Sequence, residues 1–180
     1  MKEYVINKSI YGRDIKRVRA LLKMSQKEFA DLVGCSKRTV ENWESKDGEI
    51  TGPIVTLVEI LIRRPDLVSR LELPPKKYNI RLLYMYENTV CTVIDVDELH
   101  RLVEIRNYID DPLFRAFGVN TEPAYEDYEE FLRSRCFPES RDKMKIELKN
   151  LGLPFYDPLM IIGKTGGRME EDKFSIEIVR

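Results

Sequence analysis

Residues 25–45 read SQKEFADLVGCSKRTVENWES, and this stretch decides the fold of the first part of the chain. Ser25 and Glu28 have the S-x-x-E spacing of a capping box, which predicts the start of a helix. Gly34 can adopt the positive φ that ends such a helix, and Ser36 can cap the next one. The stretch therefore predicts two short helices joined by a tight turn.

The apolar residues of this stretch recur at the spacings that a helix-turn-helix requires. Two helices that cross steeply need a small residue where their backbones approach, and Ala30 occupies that position. They also need apolar side chains from both helices beneath the crossing. Those side chains are Phe29, Val33, Cys35, Val40 and Trp43. Because these residue types and both caps fit the requirements of a helix-turn-helix, the pattern favours that motif over a chance amphipathic hairpin.

The stretch resembles the helix-turn-helix of the Xre family, which is similar to the lambda-type repressors. Its continuation TGPIVTLVEILIRRPDLV, residues 51–68, is similar to the members that act as antitoxins and autoregulators of type II toxin–antitoxin modules. The residues that carry this similarity are Trp43, Glu44, Gly52, Pro53 and Pro65. The chain departs from the family in WESKDGEITGP, where the glycine that usually follows Trp-Glu is displaced. The resemblance covers roughly residues 11–70, about a third of the chain.

One face of the second motif helix is predicted to read DNA. Val40 and Trp43 face the bundle, so Arg38 and Asn42, four residues apart, share the opposite face, with Lys37 at the exposed N-terminal end. The N-terminal residues of such a helix contact base edges in the major groove. Arginine and lysine suit guanine, and asparagine suits adenine. We therefore predict that Lys37, Arg38 and Asn42 read bases.

Other polar residues are predicted to contact the DNA backbone. The resemblance places Gln26 against a phosphate, where its amide and the helix N-terminus can both donate. Ser36 and Thr39 are predicted to make phosphate or water-mediated contacts. Lys27 and Lys46 are expected to add electrostatic attraction.

Further charges are expected to modulate this binding. Glu41 and Glu44 are expected to lie beside the reading face and to lower the affinity of a single domain. A homodimer on a palindromic operator of double-stranded DNA would compensate for that loss. Lys16, Arg17 and Arg19 fit equally well with contacts to the DNA backbone and with a solvated surface.

The sequence LPPKK at residues 73–77 marks a change in character along the chain. Consecutive prolines stop a helix and favour an extended connector. Residues 1–77 hold 16 Lys/Arg and 11 Asp/Glu, a balance of +5, whereas residues 78–180 hold 14 and 20, a balance of −6. We predict a helix-turn-helix domain over residues 1–73, a Pro-rich linker over residues 74–77 and a second domain over residues 78–180.

The predicted fold class is an all-α helix-turn-helix bundle of four to five short helices followed by a small α+β domain. NIRLLYMY and TVCTVIDV predict strands over residues 79–86 and 89–96 around a tight turn. Further strands are predicted at Leu102–Ile105 and over residues 174–179. Helices are predicted at Tyr125–Arg135, at Ser140–Leu151 and from Asp157 to Ile162.

Neither catalysis nor a cofactor is expected. One histidine, His100, and three scattered cysteines fit no His/Cys metal site and no disulfide framework. IIGKTGGR at residues 161–168 lacks the first glycine of a P-loop because Pro158 stands there, so a Gly-rich turn is predicted. Arg133, Arg135 and Arg141 could neutralise an acidic partner or ligand, but salt bridges with Glu129 and Glu130 are favoured.

The resemblance implies a transcriptional regulator, an antitoxin-like autorepressor. The acidic balance of the second domain and its position after such a reader favour protein binding, either of a cognate toxin or of a second copy of itself. One alternative is a small-molecule-sensing repressor, and another is a helix-turn-helix used only for protein docking. MKEYVINKSI lacks the apolar region of a secretion signal, and no apolar run approaches the roughly 18 residues of a membrane span. A cytoplasmic, nucleoid-associated protein without membrane contact is therefore expected.

Overall fold

The computed structural model describes residues 3–179, which form two compact units divided between Leu73 and Pro74. The first unit contains α1 (Gly12–Leu21), α2 (Gln26–Val33), α3 (Lys37–Ser45), α4 (Pro53–Arg63) and α5 (Asp66–Leu71). The second contains β1 (Ile80–Tyr86), β2 (Thr89–Asp97), β3 (Leu102–Asn107), a 3-10 helix (Pro112–Phe114), α6 (Tyr125–Ser134), α7 (Met144–Leu151), α8 (Pro158–Thr165) and β4 (Phe174–Val179). A helical bundle followed by an α+β unit is the predicted fold class, which is confirmed.

Local hydrogen bonds set the boundaries of α2 and α3. The Ser25 hydroxyl accepts from the Glu28 N–H at 3.2 Å, and the Glu28 carboxylate accepts from the Ser25 N–H at 2.7 Å. Gly34 ends α2 with φ of +70°, a conformation that glycine adopts without a Cβ penalty. The Ser36 hydroxyl then accepts from the Thr39 N–H at 3.1 Å. Both predicted caps and the predicted turn glycine are confirmed.

The core of the first unit joins α3 to α1, α2 and α4. Its buried side chains include Ile15, Val18, Phe29, Ala30, Val40 and Val58. Ile10 and Ile50 exchange two backbone hydrogen bonds, at 3.0 and 2.8 Å, and so fasten the segment before α1 to the loop after α3. At Gly12 the backbones come so close that an added Cβ would lie 2.5 Å from the Trp43 carbonyl oxygen.

The second unit is a four-stranded antiparallel sheet with helices packed on one face. Its strand order is β3-β2-β1-β4. The core between sheet and helices includes Leu82, Ile94, Tyr128, Leu132, Ile161 and Ile176. Glu87, at φ of +51°, occupies the predicted turn between β1 and β2. The strands predicted from alternation are confirmed.

Two predicted helix boundaries in this unit are wrong. α7 begins at Met144 rather than Ser140, because residues 140–143 carry no apolar side chain to anchor a helix to the core. Asp157 caps α8 as predicted, accepting from the Met160 N–H at 2.8 Å. That helix, however, continues to Thr165. Of the Gly-rich turn predicted at residues 161–168, only the part from Gly166 onward lies outside the helix.

A buried ion pair ties the Pro-Pro segment to the sheet. Arg81 and Asp95, both less than a tenth exposed, form two contacts of 2.6 Å. The same guanidinium donates to the carbonyls of Pro74 at 2.7 Å and Pro75 at 3.0 Å. Residues 74–77, predicted as a linker, are therefore fixed to the second unit at their first two residues.

Arg133 and Arg135, near the end of α6, form ion pairs, which is the favoured prediction. Only one of their two partners is a carboxylate that was predicted. Arg133 lies 3.7 Å from Glu129, one of the two predicted carboxylates. Arg135 is instead buried against Asp172, at 2.6 Å. Arg135 also donates to the Gly167 carbonyl at 2.9 Å. It thus joins the end of α6 to the segment before β4.

Candidate nucleic-acid interface

Helix α3 has an inner face and an outer face. Val40 is fully buried and Trp43 is half-buried against the core of the first unit. On the outer face, Lys37, Arg38 and Asn42 are all exposed. The structure therefore brings the three predicted base-reading residues together on one solvent-facing surface, which we call the α3 outer face. Their contact with bases stays a prediction.

The side chains of the α3 outer face are lightly constrained. Lys37 pairs with Glu41 at 3.0 Å, but both side chains are more than two-fifths exposed, so this contact contributes little and breaks easily. The Arg38 and Asn42 side chains form no hydrogen bond or ion pair with any other residue in the part of the chain that the structure describes. A long cation and an amide are therefore accessible on one helix face.

The residues predicted to contact the DNA backbone lie in the first turn of α2 and at the two ends of α3. Ser36 and Thr39 share a hydroxyl–hydroxyl hydrogen bond of 2.8 Å, and each oxygen keeps further hydrogen-bonding capacity. Lys46 donates to the Glu49 carbonyl at 2.7 Å. Lys27 lies 3.5 Å from Asp31, and both side chains are well exposed.

Glu44 does not lie beside the reading face, and that prediction is wrong. It is 7% exposed and accepts hydrogen bonds from three N–H groups. Arg19 donates from Nε at 2.7 Å and from Nη2 at 3.2 Å. The Gln26 amide donates at 2.8 Å. We call these three residues the Glu44 network. Arg19 in turn is only 25% exposed in its side chain and its guanidinium is engaged by Glu44 and the Met24 carbonyl, so it is not a fully solvated charge. Its contact with the DNA backbone stays untested.

The electrostatics of the Glu44 network favour a charged pair. Burial opposes ionisation of Glu44, but the hydrogen bonds from Arg19 and Gln26 outweigh it and hold the pKa of this carboxyl below its ordinary value. The hydrogen bond to Glu44 likewise raises the pKa of Arg19. Because the opposite charges are in contact, Glu44 contributes little repulsion toward an anion at the surface.

The Glu44 network also positions the motif. It connects α1 through Arg19, α2 through Gln26 and α3 through Glu44. Arg19 adds a hydrogen bond of 3.0 Å to the Met24 carbonyl in the turn before α2. Gln26 uses one of its two amide N–H groups for Glu44, so the second N–H stays available to donate to a phosphate. The Gln26 contact with the DNA backbone stays a prediction.

A signal in the sequence could have located Glu44 correctly. It follows the buried Val40 by four residues and Trp43 by one, which places it on the inner side of α3. Gly12 is the other residue missed, since its close approach to α3 involves positions more than thirty residues apart in sequence. No local pattern marks that approach.

Cys91, Cys136 and His100 lie in the second unit, outside this interface. Burial raises the pKa of the Cys91 thiol, and it raises the pKa of Cys136 to about 11. His100 lies in an exposed loop with its ring nitrogen 2.7 Å from Asp97. Residues 3–179 contain no group of three or more His, Cys, Asp or Glu side chains suited to a metal ion. No helix among those residues is long and apolar enough to cross a membrane.

Comparison with known proteins identifies the first unit. A family model described as helix-turn-helix matches residues 15–63, which run from α1 through α4. The α2–α3 motif, its caps and its buried crossing lie inside that match. Residues 15–63 form a helix-turn-helix domain of the Xre type.

One relative of this Xre-type domain is Antitoxin HigA-2 of Vibrio cholerae serotype O1 (strain ATCC 39315 / El Tor Inaba N16961). It is 36% identical over 58 residues. The aligned stretch covers 32% of this chain and 56% of the relative, so the chain spans a little over half of that protein. The similarity supports the helix-turn-helix assignment for the N-terminal part of the chain.

Proposed function

We propose that the protein is a sequence-specific autorepressor of the antitoxin type, which inserts α3 of its Xre-type domain into the major groove. The observation that carries this proposal is the α3 outer face, where Lys37, Arg38 and Asn42 are exposed on a helix held from behind by a buried core and the Glu44 network. A rigid helix with accessible Arg and Asn side chains can make bidentate contacts to guanine and adenine.

The proposal also assigns the backbone contacts. Gln26, Ser36 and Thr39 are proposed to donate to phosphates near the N-termini of α2 and α3, where the unpaired helix amides favour an anion. Lys27 and Lys46 are proposed to add sequence-independent attraction. A homodimer would present two such surfaces to a palindromic operator. A regulator of this kind acts on nucleoid DNA in the cytoplasm, and no catalytic step is part of the proposal.

Residues 78–180 are proposed to bind a protein partner. The relative in Vibrio cholerae is an antitoxin, and an antitoxin acts on a cognate toxin. The net charge of −6 over these residues suits a partner with a basic surface. Co-purification of the full chain with the product of the adjacent gene tests this part. A chain that retains that product equally well when residues 78–180 are deleted would contradict it.

Selection of bound sequences from a random pool of duplex DNA tests the DNA-reading proposal. The full chain should enrich one site whose affinity falls steeply as the salt concentration rises. Arg38→Ala or Asn42→Ala should relax the preference at one base pair of each half-site, with a loss of about 1–3 kcal/mol there. Gln26→Ala should weaken binding to all sequences alike.

Arg70→Ala is the matched control for Arg38→Ala. Arg70 is a similarly exposed arginine, but it lies on α5 beside Asp66. It should leave the selected sequence unchanged, although both substitutions remove one positive charge. A pool that shows no enriched site with the wild-type chain would refute DNA reading and favour protein docking. A site that depends on an added metabolite would instead support a small-molecule-sensing repressor.

A further inference from the structure

The sheet of the second unit has two edge strands, β3 and β4. When two strands lie antiparallel, every second residue of each strand exchanges backbone hydrogen bonds with the residue opposite. The residues in between direct their N–H and C=O groups toward the other side of their own strand. The Tyr108 N–H donates to the Cys91 carbonyl at 2.8 Å, in the same register as the β2–β3 pairing. Arg106 and Glu104 therefore also turn their backbone groups toward β2. The residues whose backbone groups point to the open side of β3 are Val103, Ile105 and Asn107.

The outward residues of the other edge strand, β4, are Phe174, Ile176 and Ile178, and the first two are engaged by the chain itself. The Ile176 N–H donates to the Gly166 carbonyl at 2.7 Å. The Phe174 N–H donates to the Asp172 carboxylate at 2.9 Å, and the Phe174 carbonyl accepts from Arg135 at 3.3 Å. The first half of this edge is thus closed against a further strand.

The outward edge of β3 has no such closure within residues 3–179. No hydrogen bond from another segment of the described chain reaches the backbone groups of Val103, Ile105 or Asn107. The side chains of Val103 and Ile105 are nevertheless packed against the core, so the strand is held in place. A fixed strand with unpaired backbone groups is a template for another strand.

We infer that β3 is the surface through which two copies of the chain associate, by antiparallel pairing of β3 with β3 about a twofold axis at Ile105. This register brings the outward residues of both strands together, with Ile105 opposite Ile105 and Val103 opposite Asn107. About six backbone hydrogen bonds would form across the interface. Glu104 of each copy would lie opposite Arg106 of the other.

Charge selects this register over its neighbours. The two copies of β3 could also pair in a register shifted by two residues, which still brings outward backbone groups together. Such a shift moves the twofold axis to Glu104 or to Arg106. Those registers place two glutamates or two arginines directly opposite each other, and like charges at that position are destabilising. With the axis at Ile105, both cross-strand pairs join opposite charges. The strand LVEIRN is therefore complementary to itself.

Both charged side chains occupy the sheet face opposite the helices. Glu104 accepts hydrogen bonds from Lys77 and, at 3.1 Å, from the Tyr78 hydroxyl. The Arg106 guanidinium lies over the Tyr108 ring, 5.2 Å from its centroid. Glu104 and Arg106 of opposite copies meet in a pair without backbone hydrogen bonds, where side chains approach most closely. The inference supplies a surface for the proposed homodimer, and its test uses no DNA, so its failure is separate from a failure of DNA reading.

Charge exchange tests the β3 pairing in the full chain. Sedimentation equilibrium should show a wild-type dimer. Glu104→Arg and Arg106→Glu each place like charges opposite one another twice, so each should weaken self-association by about tenfold or more. An equimolar mixture of these two variants should associate again, because one copy then presents two cations to two anions. Glu177→Arg changes an exposed glutamate on β4 by the same charge and should leave the dimer intact.

Amide hydrogen exchange gives a second readout that does not depend on the variants. As the concentration of the wild-type chain rises, the amides of Val103, Ile105 and Asn107 should become protected. Those of Glu104 and Arg106, which already donate to β2, should change little. A monomer at every accessible concentration, a mixture no better associated than its components, or edge protection that requires a different protein would each overturn the inference.

Discussion

Replacement of Glu44 by alanine measures how strongly the Glu44 network fixes α3. The change removes three hydrogen bonds, two from Arg19 and one from Gln26. Loss of one partner from a fully buried pair costs about 3–5 kcal/mol. The Arg19 side chain is 25% exposed and can recover part of its hydration. We therefore expect Glu44→Ala to lower the free energy of unfolding of the first unit by about 2–3 kcal/mol.

Glu41→Ala is the matched control. Glu41 is the same residue type, three positions earlier on the same helix, and it also pairs with a cation. Its side chain is 44% exposed and its partner Lys37 is 57% exposed. Removal of such an exposed pair costs about 0–0.5 kcal/mol. The two variants should therefore differ by about 2 kcal/mol, although each loses one glutamate.

Tryptophan fluorescence supplies the assay. The chain has a single tryptophan, Trp43, and it lies in α3 against the core of the first unit. Its emission during urea denaturation of the full chain therefore reports that unit. The midpoint should fall by about 1–2 M for Glu44→Ala and should hardly move for Glu41→Ala. Equal midpoints for the two variants would refute the structural role of Glu44.

The pH dependence of this difference has a definite sign. In the folded state the pKa of Glu44 lies below its ordinary value of 4.5. A depressed carboxyl pKa contributes stability that is fully present above the unfolded value. That contribution is lost as the pH falls through the lower, folded pKa. The stability gap between the wild-type chain and Glu44→Ala should therefore be constant near neutral pH and shrink on acidification below about 4.5.

Two further substitutions test close packing and the second unit. Gly12→Ala should destabilise the first unit by about 1–3 kcal/mol, because the new Cβ meets backbone atoms of α3. Gly48→Ala, where the nearest atom is 3.6 Å away on a flexible lysine, should change the Trp43 transition very little. Asp95→Ala leaves the buried Arg81 without its carboxylate and should cost the second unit about 3–5 kcal/mol. Far-ultraviolet circular dichroism should show that loss while the Trp43 transition stays unchanged.

The parts of the fold that local chemistry controls could be predicted from the sequence. Ser25, Gly34 and Ser36 determine the ends of α2 and α3 through contacts with residues no more than five positions away. The same holds for the turn at Glu87, where alternating strands on both sides leave two residues to reverse the chain. Caps and turns of this kind depend on residue type and spacing, both of which the sequence displays.

The parts that depend on distant partners could not be predicted in this way. The spacing of Glu44 after Val40 places it on the inner side of α3, but its partner Arg19 lies 25 residues earlier and no spacing points to it. Arg135 likewise finds Asp172 at a separation of 37 residues. A buried charge requires a partner, but a chain with 61 charged residues offers too many candidates for spacing alone to choose among them. The three-dimensional arrangement supplies that choice.

The burial of Glu44 changes the expected electrostatics of DNA binding. With Glu44 neutralised by Arg19, Glu41 is the remaining anion of α3 beside Lys37 and Arg38. Glu41→Ala should therefore strengthen binding to all DNA sequences alike, whereas Glu44→Ala should weaken it through loss of helix position.

A single copy of the chain would contact the major groove through one short helix only. If two copies join through β3, Glu104→Arg should reduce affinity for a palindromic operator far more than affinity for an isolated half-site. Equal losses on both DNAs would show that the two copies are joined elsewhere.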